Sequence, residues 1–118
     1  MTGNEILKKA MELLGYTDSD GSAQLTQRIK SRALTAINQV YSDLHYALYS
    51  TQFAPIEKMS DKIELPPRIF TEVMPYGVAS FLAQSESDGD QQQFMVMMYN
   101  QKRKLLCKIT EIQDAMEV

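Results

Sequence analysis

The hydrophobic residues of this chain recur at three- and four-residue steps over most of its length, which is the spacing of one face of a helix. The pattern predicts four helices, at about 3–14, 23–48, 67–86 and 90–115. Each helix would hide its apolar face against the others. We therefore predict an all-α, four-helix bundle-like single domain spanning residues 1–118.

Residues that favour helix ends stand at the predicted boundaries. Thr2 or Asn4 can accept hydrogen bonds from the first amides of the first helix, and Gly15 can end that helix in a left-handed conformation. Asp88 or Asp90 can cap the fourth helix in the same way. The ends of these two helices are therefore predicted by capping as well as by periodicity.

The third predicted helix carries apolar residues on more than one face, which predicts a helix buried between others. Pro66 and Pro67 stand at its start, where the first amides need no helical partner. Pro75 should remove a backbone hydrogen bond and kink the helix. Gly77 should let a neighbouring helix approach closely. Its lower intrinsic helix propensity costs about 1 kcal/mol relative to alanine.

Between the second and third helices the spacing changes. Apolar residues near Phe53 and Ile63 flank a polar stretch with a break at Ser60 and Asp61. This composition predicts a short extended or hairpin segment at about residues 50–65. It is the only predicted departure from helix apart from the loops.

Composition then limits the function. Twelve basic residues against 15 acidic residues give a net charge of −3, which argues against a protein that coats nucleic acid by neutralising phosphates. The single cysteine cannot form an internal disulfide, and the N-terminus lacks a secretory signal, so we expect synthesis in a reducing cytoplasm. No apolar run approaches the roughly 20 residues that span a bilayer, so we expect no membrane role.

Candidate residues for catalysis or metal binding stand alone in the sequence. The Asp18–Gly21 loop and the turn at Gly89 lack carboxylates at the first and last ligand positions of a calcium loop, which favours capping turns. His45 has no ligand or nucleophile at a useful spacing. Cys107 has lysines nearby that could lower its pKa, but no partner motif. We predict no enzyme activity, no metal and no cofactor.

Two basic groups and one methionine group leave alternatives open. The basic groups are either solvated helix faces or contacts to DNA phosphates in a channel or to an acidic neighbouring subunit. They comprise Arg28, Lys30 and Arg32 on the second helix, and Lys102, Arg103, Lys104 and Lys108 on the fourth. Met95, Met97 and Met98 favour core packing and an adaptable partner surface equally.

The fourth helix has a predicted apolar stripe that continues to the end of the chain. Its principal members are Phe94, Met98, Leu105, Ile109 and Ile112, and Met95, Met97, Tyr99 and Leu106 broaden it. Towards the C-terminus this stripe has few local partners. It could therefore dock on a neighbouring subunit.

The third and fourth helices together resemble a known family. Two long helical segments are joined by an acidic turn, with Pro-Tyr-Gly inside the first and Tyr-Asn followed by basic residues in the second. The motifs are Leu65-Pro66-Pro67-Arg68, Val73-Met74-Pro75-Tyr76-Gly77-Val78-Ala79, Asp88-Gly89-Asp90 and Tyr99-Asn100-Gln101-Lys102-Arg103. This order resembles the small head-to-tail connector (adaptor) proteins of tailed bacteriophages.

The resemblance implies a structural virion protein made in the bacterial cytoplasm and located in the virion neck. It would form a ring of identical subunits between the portal protein and the tail or stopper protein, with DNA passing through the lumen without sequence-specific contacts. A head-to-tail interface would close the ring, because each subunit presents two different faces. The resemblance also implies subunit or partner contacts through the extended segment and the last helix, by Phe53, Ile56, Met59, Ile63, Leu105, Ile109 and Ile112.

A second hypothesis is a DNA-binding packaging factor such as a small terminase subunit. Its first helices would contact DNA. The negative net charge and the lack of a clear helix-turn-helix weigh against it.

Overall fold

The computed structural model describes residues 1–16 and 25–116, and side chains as far as Lys108. The described chain forms five helices that pack around a shared hydrophobic core. They are α1 Gly3–Leu14, α2 Gln27–Leu48, α3 Pro67–Glu72, α4 Met74–Ser85 and α5 Gly89–Met116. The predicted all-α, bundle-like fold is confirmed.

Helix α1 begins and ends at the predicted caps. Thr2 Oγ1 accepts a hydrogen bond of 3.3 Å from the backbone N–H of Glu5. Gly15 ends the helix with φ of 73°, a left-handed conformation that costs glycine little. The face between these caps carries Ile6 and Met11, both fully buried.

Helix α2 begins four residues later than predicted. Thr26 accepts a 3.1 Å hydrogen bond from the backbone N–H of Ile29, so it caps the helix and stands outside it. Leu25 continues the apolar spacing in the sequence but is 42% exposed. Periodicity placed the start too early because it counted Leu25 as part of the buried face.

The third predicted helix is two helices. It breaks at Val73, whose φ of −111° and ψ of −54° depart from regular helix geometry, and Pro75 lies in the first turn of α4. Because proline has no N–H and its ring would clash with the carbonyl of Thr71, α3 cannot continue through it. The predicted kink is therefore a break. The prediction of burial is confirmed, since Met74 and Leu82 are completely buried.

The segment between α2 and α3 forms no hairpin. The β-type pairing found among the described residues is one antiparallel bridge between Thr2 and Lys62. The N-terminus supplies the partner: Ile63 N–H donates to the carbonyl of Met1 at 2.9 Å, and Asn4 N–H donates to that of Met59 at 2.9 Å. The segment is extended, which was one of the two predicted alternatives. Its backbone pairs with the N-terminus and not with itself.

Helices α2, α4 and α5 come together at Gly77. A Cβ atom built there would lie 2.8 Å from Cε1 of Tyr99 and 2.9 Å from Cγ1 of Val40. Real Cβ atoms do not approach other atoms so closely, because van der Waals repulsion is strong at this distance and a closely packed interior leaves the neighbours little room to move away. The predicted close approach at Gly77 is confirmed.

Candidate functional site

The described residues bring together no cluster that could carry out metal chemistry. Among the side chains that the structure describes, in residues 1–16 and 25–108, no three His, Cys, Asp or Glu are placed to hold a metal ion. The Asp18–Gly21 loop lies outside the described residues. At the second candidate turn, Asp88 accepts hydrogen bonds from the Tyr16 hydroxyl at 2.7 Å and the Gln91 N–H at 3.5 Å. Asp88 is thus a capping and anchoring residue.

The histidine and the cysteine both have packing roles. His45 Nε2 lies 2.9 Å from the carbonyl oxygen of Thr51, and the ring packs against Tyr49 and Phe53. Cys107 is buried, and this burial raises the pKa of its thiol although Arg103 opposes the effect. A thiol held in its protonated form is a poor nucleophile.

The most exposed apolar residues of α5 share one side of that helix, which we call the outer face of α5. Phe94 and Met97 are each 48% exposed and Leu105 is 61% exposed. At about 100° per residue these three lie within an arc of about 80°. An arc of large apolar side chains in water is characteristic of a surface that meets a partner.

The predicted apolar stripe of α5 lies on a different side of the helix from the side that packs in the bundle. The side of α5 that packs in the bundle carries Met95 and Leu106, which are 2% and 7% exposed, together with Tyr99 over Gly77. The predicted stripe through Phe94 and Leu105 is therefore on the solvent side. Close packing at Gly77 sets this rotation, and hydrophobic spacing could not reveal it because both sides of α5 carry apolar residues.

Arg103 has a hydrogen-bonded partner within its own chain. Its guanidinium donates two hydrogen bonds to the Asp43 carboxylate, at 2.7 Å and 3.1 Å, and the Tyr99 hydroxyl donates to the same carboxylate at 2.5 Å. Burial raises the pKa of Tyr99, and the bond to Asp43 raises it further. The bond to Asp43 also raises the pKa of Arg103. This network joins α5 to α2.

The other three predicted basic contacts on α5 differ in environment. Lys102 Nζ lies 5.1 Å from the centre of the Tyr76 ring, within cation–π distance. Lys104 is exposed, as is Lys108 one turn further on. Lys104 and Lys108 are therefore directed to solvent, and within the described chain neither makes a cation–π contact like that of Lys102.

The basic group on α2 is similarly divided. Arg28 lies 3.5 Å from the Glu86 carboxylate, although its side chain is 72% exposed. Lys30 and Arg32 are exposed and form no ion pair with any described residue. The two groups lie on different helices, and internal partners reduce the charge of each.

The predicted contacts in the extended segment mostly belong to the core. Ile56 and Ile63 are only 6% and 3% exposed, and Asn38 holds the Ile56 backbone by two 2.9 Å hydrogen bonds. Phe53 and Met59 are half-buried against the same core. The expectation that Ile56 and Ile63 reach a partner is wrong for this fold, because the extended segment uses them to attach itself to the bundle.

The last three predicted contacts lie on α5. Leu105 is exposed, as a partner contact requires. The side chains of Ile109 and Ile112 lie outside the described part, although α5 itself continues to Met116. Leu105 is thus the predicted interface residue that the described surface leaves most open.

A second surface, which we call the aromatic groove, was not predicted. It is an open depression of about 560 Å³ between the end of α2 and the extended segment. Its lining includes Tyr41, His45, Tyr49, Glu64, Leu65 and Pro66. The aromatic residues near the end of α2 were a sequence signal, but the groove exists only because the extended segment folds back along that helix.

The outer face of α5 and the aromatic groove lie on opposite flanks of α2. Asp43 bonds to Arg103 on α5, whereas His45 bonds to Thr51 beside the groove. Two residues along a helix turn the side-chain direction by about 200°. The subunit therefore presents two different apolar surfaces in different directions.

Comparison with known proteins finds no protein-family model, no curated protein and no solved structure that matches the chain. Among the helices formed by residues 1–16 and 25–116, none combines the length and hydrophobicity needed to cross a membrane.

Proposed function

We propose that this protein is a structural subunit of a bacteriophage head-to-tail connector, which acts by assembling into a ring between the portal protein and the tail or stopper protein. The observation that carries the proposal is the outer face of α5, where Phe94, Met97 and Leu105 remain exposed while Met95 and Leu106 of the same helix pack in the bundle. Exposed apolar arcs of this kind are stabilised by contact with another protein.

Ring assembly is supported by the presence of two unlike surfaces. A subunit that meets its neighbours through the same patch forms a closed dimer, whereas two different patches allow rotation from subunit to subunit until a ring closes. The outer face of α5 and the aromatic groove point in different directions, which suits the second arrangement.

The residues of the family resemblance have structural roles that are compatible with this proposal. Gly77 and Tyr99 pack against each other at the centre of the bundle, and Asp88 caps α5 while binding Tyr16. They support the helical framework and leave recognition to the surfaces beside them. In this proposal DNA passes through the ring without base-specific contacts, the protein has no catalytic role, and its place is the virion neck.

The mass of the assembly that this protein forms, alone and with a portal protein, tests the proposal. Native mass spectrometry and sedimentation velocity measure that mass. We expect ring-sized species on the portal. Leu105→Asp should abolish them while leaving helicity and the unfolding midpoint nearly unchanged, because Leu105 is 61% exposed. Leu13→Asp is the matched control, since Leu13 is an exposed leucine on α1.

Two results would contradict the proposal. One is a chain that stays monomeric with the portal protein at all concentrations. The other is unfolding of Leu105→Asp, which would assign this leucine to the internal core. Binding of duplex DNA by the monomer with a steep salt dependence would favour a packaging factor instead.

A further inference from the structure

We propose that the aromatic groove of one copy receives the outer face of α5 of a second copy, with Leu105 entering the groove and Lys104 and Lys108 facing Glu64. This inference rests on the proposed function in one respect, since it takes another copy of the chain as the partner. It adds which two surfaces meet and which charges select them.

The chemical character of the aromatic groove favours a particular kind of occupant. The groove offers aromatic and apolar side chains, among them the exposed Tyr49 and Ala54, with the exposed Glu64 at its edge. The Glu64 carboxylate has no ion-pair partner among the described residues. The groove therefore suits an apolar side chain accompanied by a positive charge, because burial of the first and attraction of the second act together.

Helix α5 offers this combination of an apolar side chain and positive charge. Leu105 is 61% exposed, and it follows Lys104 directly and precedes Lys108 by three positions, nearly one turn. Both lysines are exposed and unpaired within the described chain. Arg103 is bound to Asp43 and stays with its own subunit. An apolar residue with two free cations beside it therefore projects from the side of α5.

Charge repulsion disfavours symmetric contacts between two copies. A two-fold contact between outer faces would bring Lys104 and Lys108 of both copies together, and one between grooves would bring both Glu64 residues together. Like charges placed opposite one another disfavour an interface. Only the groove-to-α5 contact pairs opposite charges. Because these surfaces lie on opposite flanks of α2, the contact leaves each subunit with one free surface for the next copy.

Cysteine pairs test the geometry directly. One full-length variant carries Gln52→Cys in the groove and another carries Gln101→Cys, which lies on the side of α5 that bears Leu105. Under mild oxidation at high protein concentration we expect disulfide dimers only when the two variants are mixed. The wild type, whose Cys107 is buried, is the control. Dimers of either variant alone, or none in the mixture, would overturn the docking.

Charge reversal tests selectivity. Glu64→Lys and the double variant Lys104→Glu/Lys108→Glu should each weaken self-association about fivefold or more. An equal mixture of the two should recover it, because every contact in an alternating assembly again pairs opposite charges. Lys8→Glu and Glu12→Lys, two exposed changes on α1, are the matched controls and should have no effect.

The outcomes separate this inference from the proposed function. If the wild type forms ring-sized assemblies but both charge reversals assemble equally well, the groove contact is wrong and ring formation stands. If the reversed variants fail to recover in the mixture while their thermal unfolding matches that of the wild type, the pairing is again wrong. If no form assembles on the portal and no mixed disulfide appears, both proposals fail.

Discussion

At the scale of single residues, Gly77 shows how one missing side chain sets the geometry of three helices. The Tyr99 ring and the Val40 methyl group occupy the space that a Cβ atom would need. The ring cannot easily move away, because its hydroxyl is bonded to Asp43 at 2.5 Å and that carboxylate also binds Arg103.

We therefore predict that Gly77→Ala destabilises the protein. Overpacking of this kind costs about 1–3 kcal/mol, and the better helix propensity of alanine returns only about 1 kcal/mol of it. Urea unfolding should reveal a lower free energy of unfolding with little change in the denaturant slope. Gly89→Ala is the control, because a Cβ atom there meets nothing within 4 Å. Equal stability of the two variants would contradict the packing described at Gly77.

At the scale of secondary-structure elements, two tyrosine–carboxylate bonds hold helices together. Tyr99 on α5 donates to Asp43 on α2, and Tyr16 after α1 donates to Asp88 before α5. Burial, and then the neighbouring carboxylate, raises the pKa of each tyrosine above its ordinary value of 10.0. A tyrosinate would lose the donated hydrogen bond and face a negative charge. Both connections therefore require the protonated phenol.

From this we predict a loss of stability in alkali. The unfolded chain releases these protons near its ordinary pKa while the folded chain retains them, so their contribution is complete below about pH 10 and decreases as the pH rises above it. Urea unfolding between about pH 8 and pH 11 measures the effect. The Tyr16→Phe/Tyr99→Phe variant should have a shallower alkaline decline, with a remainder from Cys107, whose pKa is also raised. An identical decline in both proteins would disprove this linkage.

The helices differ in how well their ends and orientations can be predicted from the sequence. Caps such as Thr2 and Gly15 act within a few residues, so the ends of α1 could be predicted from local chemistry. The start of α2 and the side of α5 that is buried depend on contacts between distant residues. Periodicity cannot choose between two apolar sides of one helix, and the choice in α5 is made by Gly77, which admits Tyr99.

At the scale of the whole molecule, the candidate surfaces were harder to predict than the fold. Leu105 was identified from its position in a predicted apolar stripe. That stripe was expected to pack against the other helices, whereas the structure places Leu105 on the solvent side of α5. Ile56 and Ile63 were misassigned because the extended segment attaches to the bundle through Asn38 and through the N-terminus. The aromatic groove depends on this long-range attachment, and no local pattern encodes it.

The charge distribution of the whole molecule limits how it can meet DNA. Its net charge is −3, and three of the seven predicted phosphate contacts have a partner within the chain: Arg28 with Glu86, Lys102 with Tyr76 and Arg103 with Asp43. The other four, Lys30, Arg32, Lys104 and Lys108, are exposed. A monomer that used all four would release about four counterions from duplex DNA.

We accordingly predict weak, sequence-independent binding of duplex DNA, with a slope of log affinity against log salt no steeper than about −4. Fluorescence anisotropy with two duplexes of unrelated sequence, across a salt series at low ionic strength, measures it. Replacing Lys30, Arg32, Lys104 and Lys108 together by alanine should bring the slope close to zero, whereas Lys58→Ala, an exposed lysine outside both groups, should leave it unchanged. A slope of about −6 or steeper, or discrimination between the duplexes, would require a larger DNA surface and favour the packaging-factor alternative over a connector whose lumen only lets DNA pass.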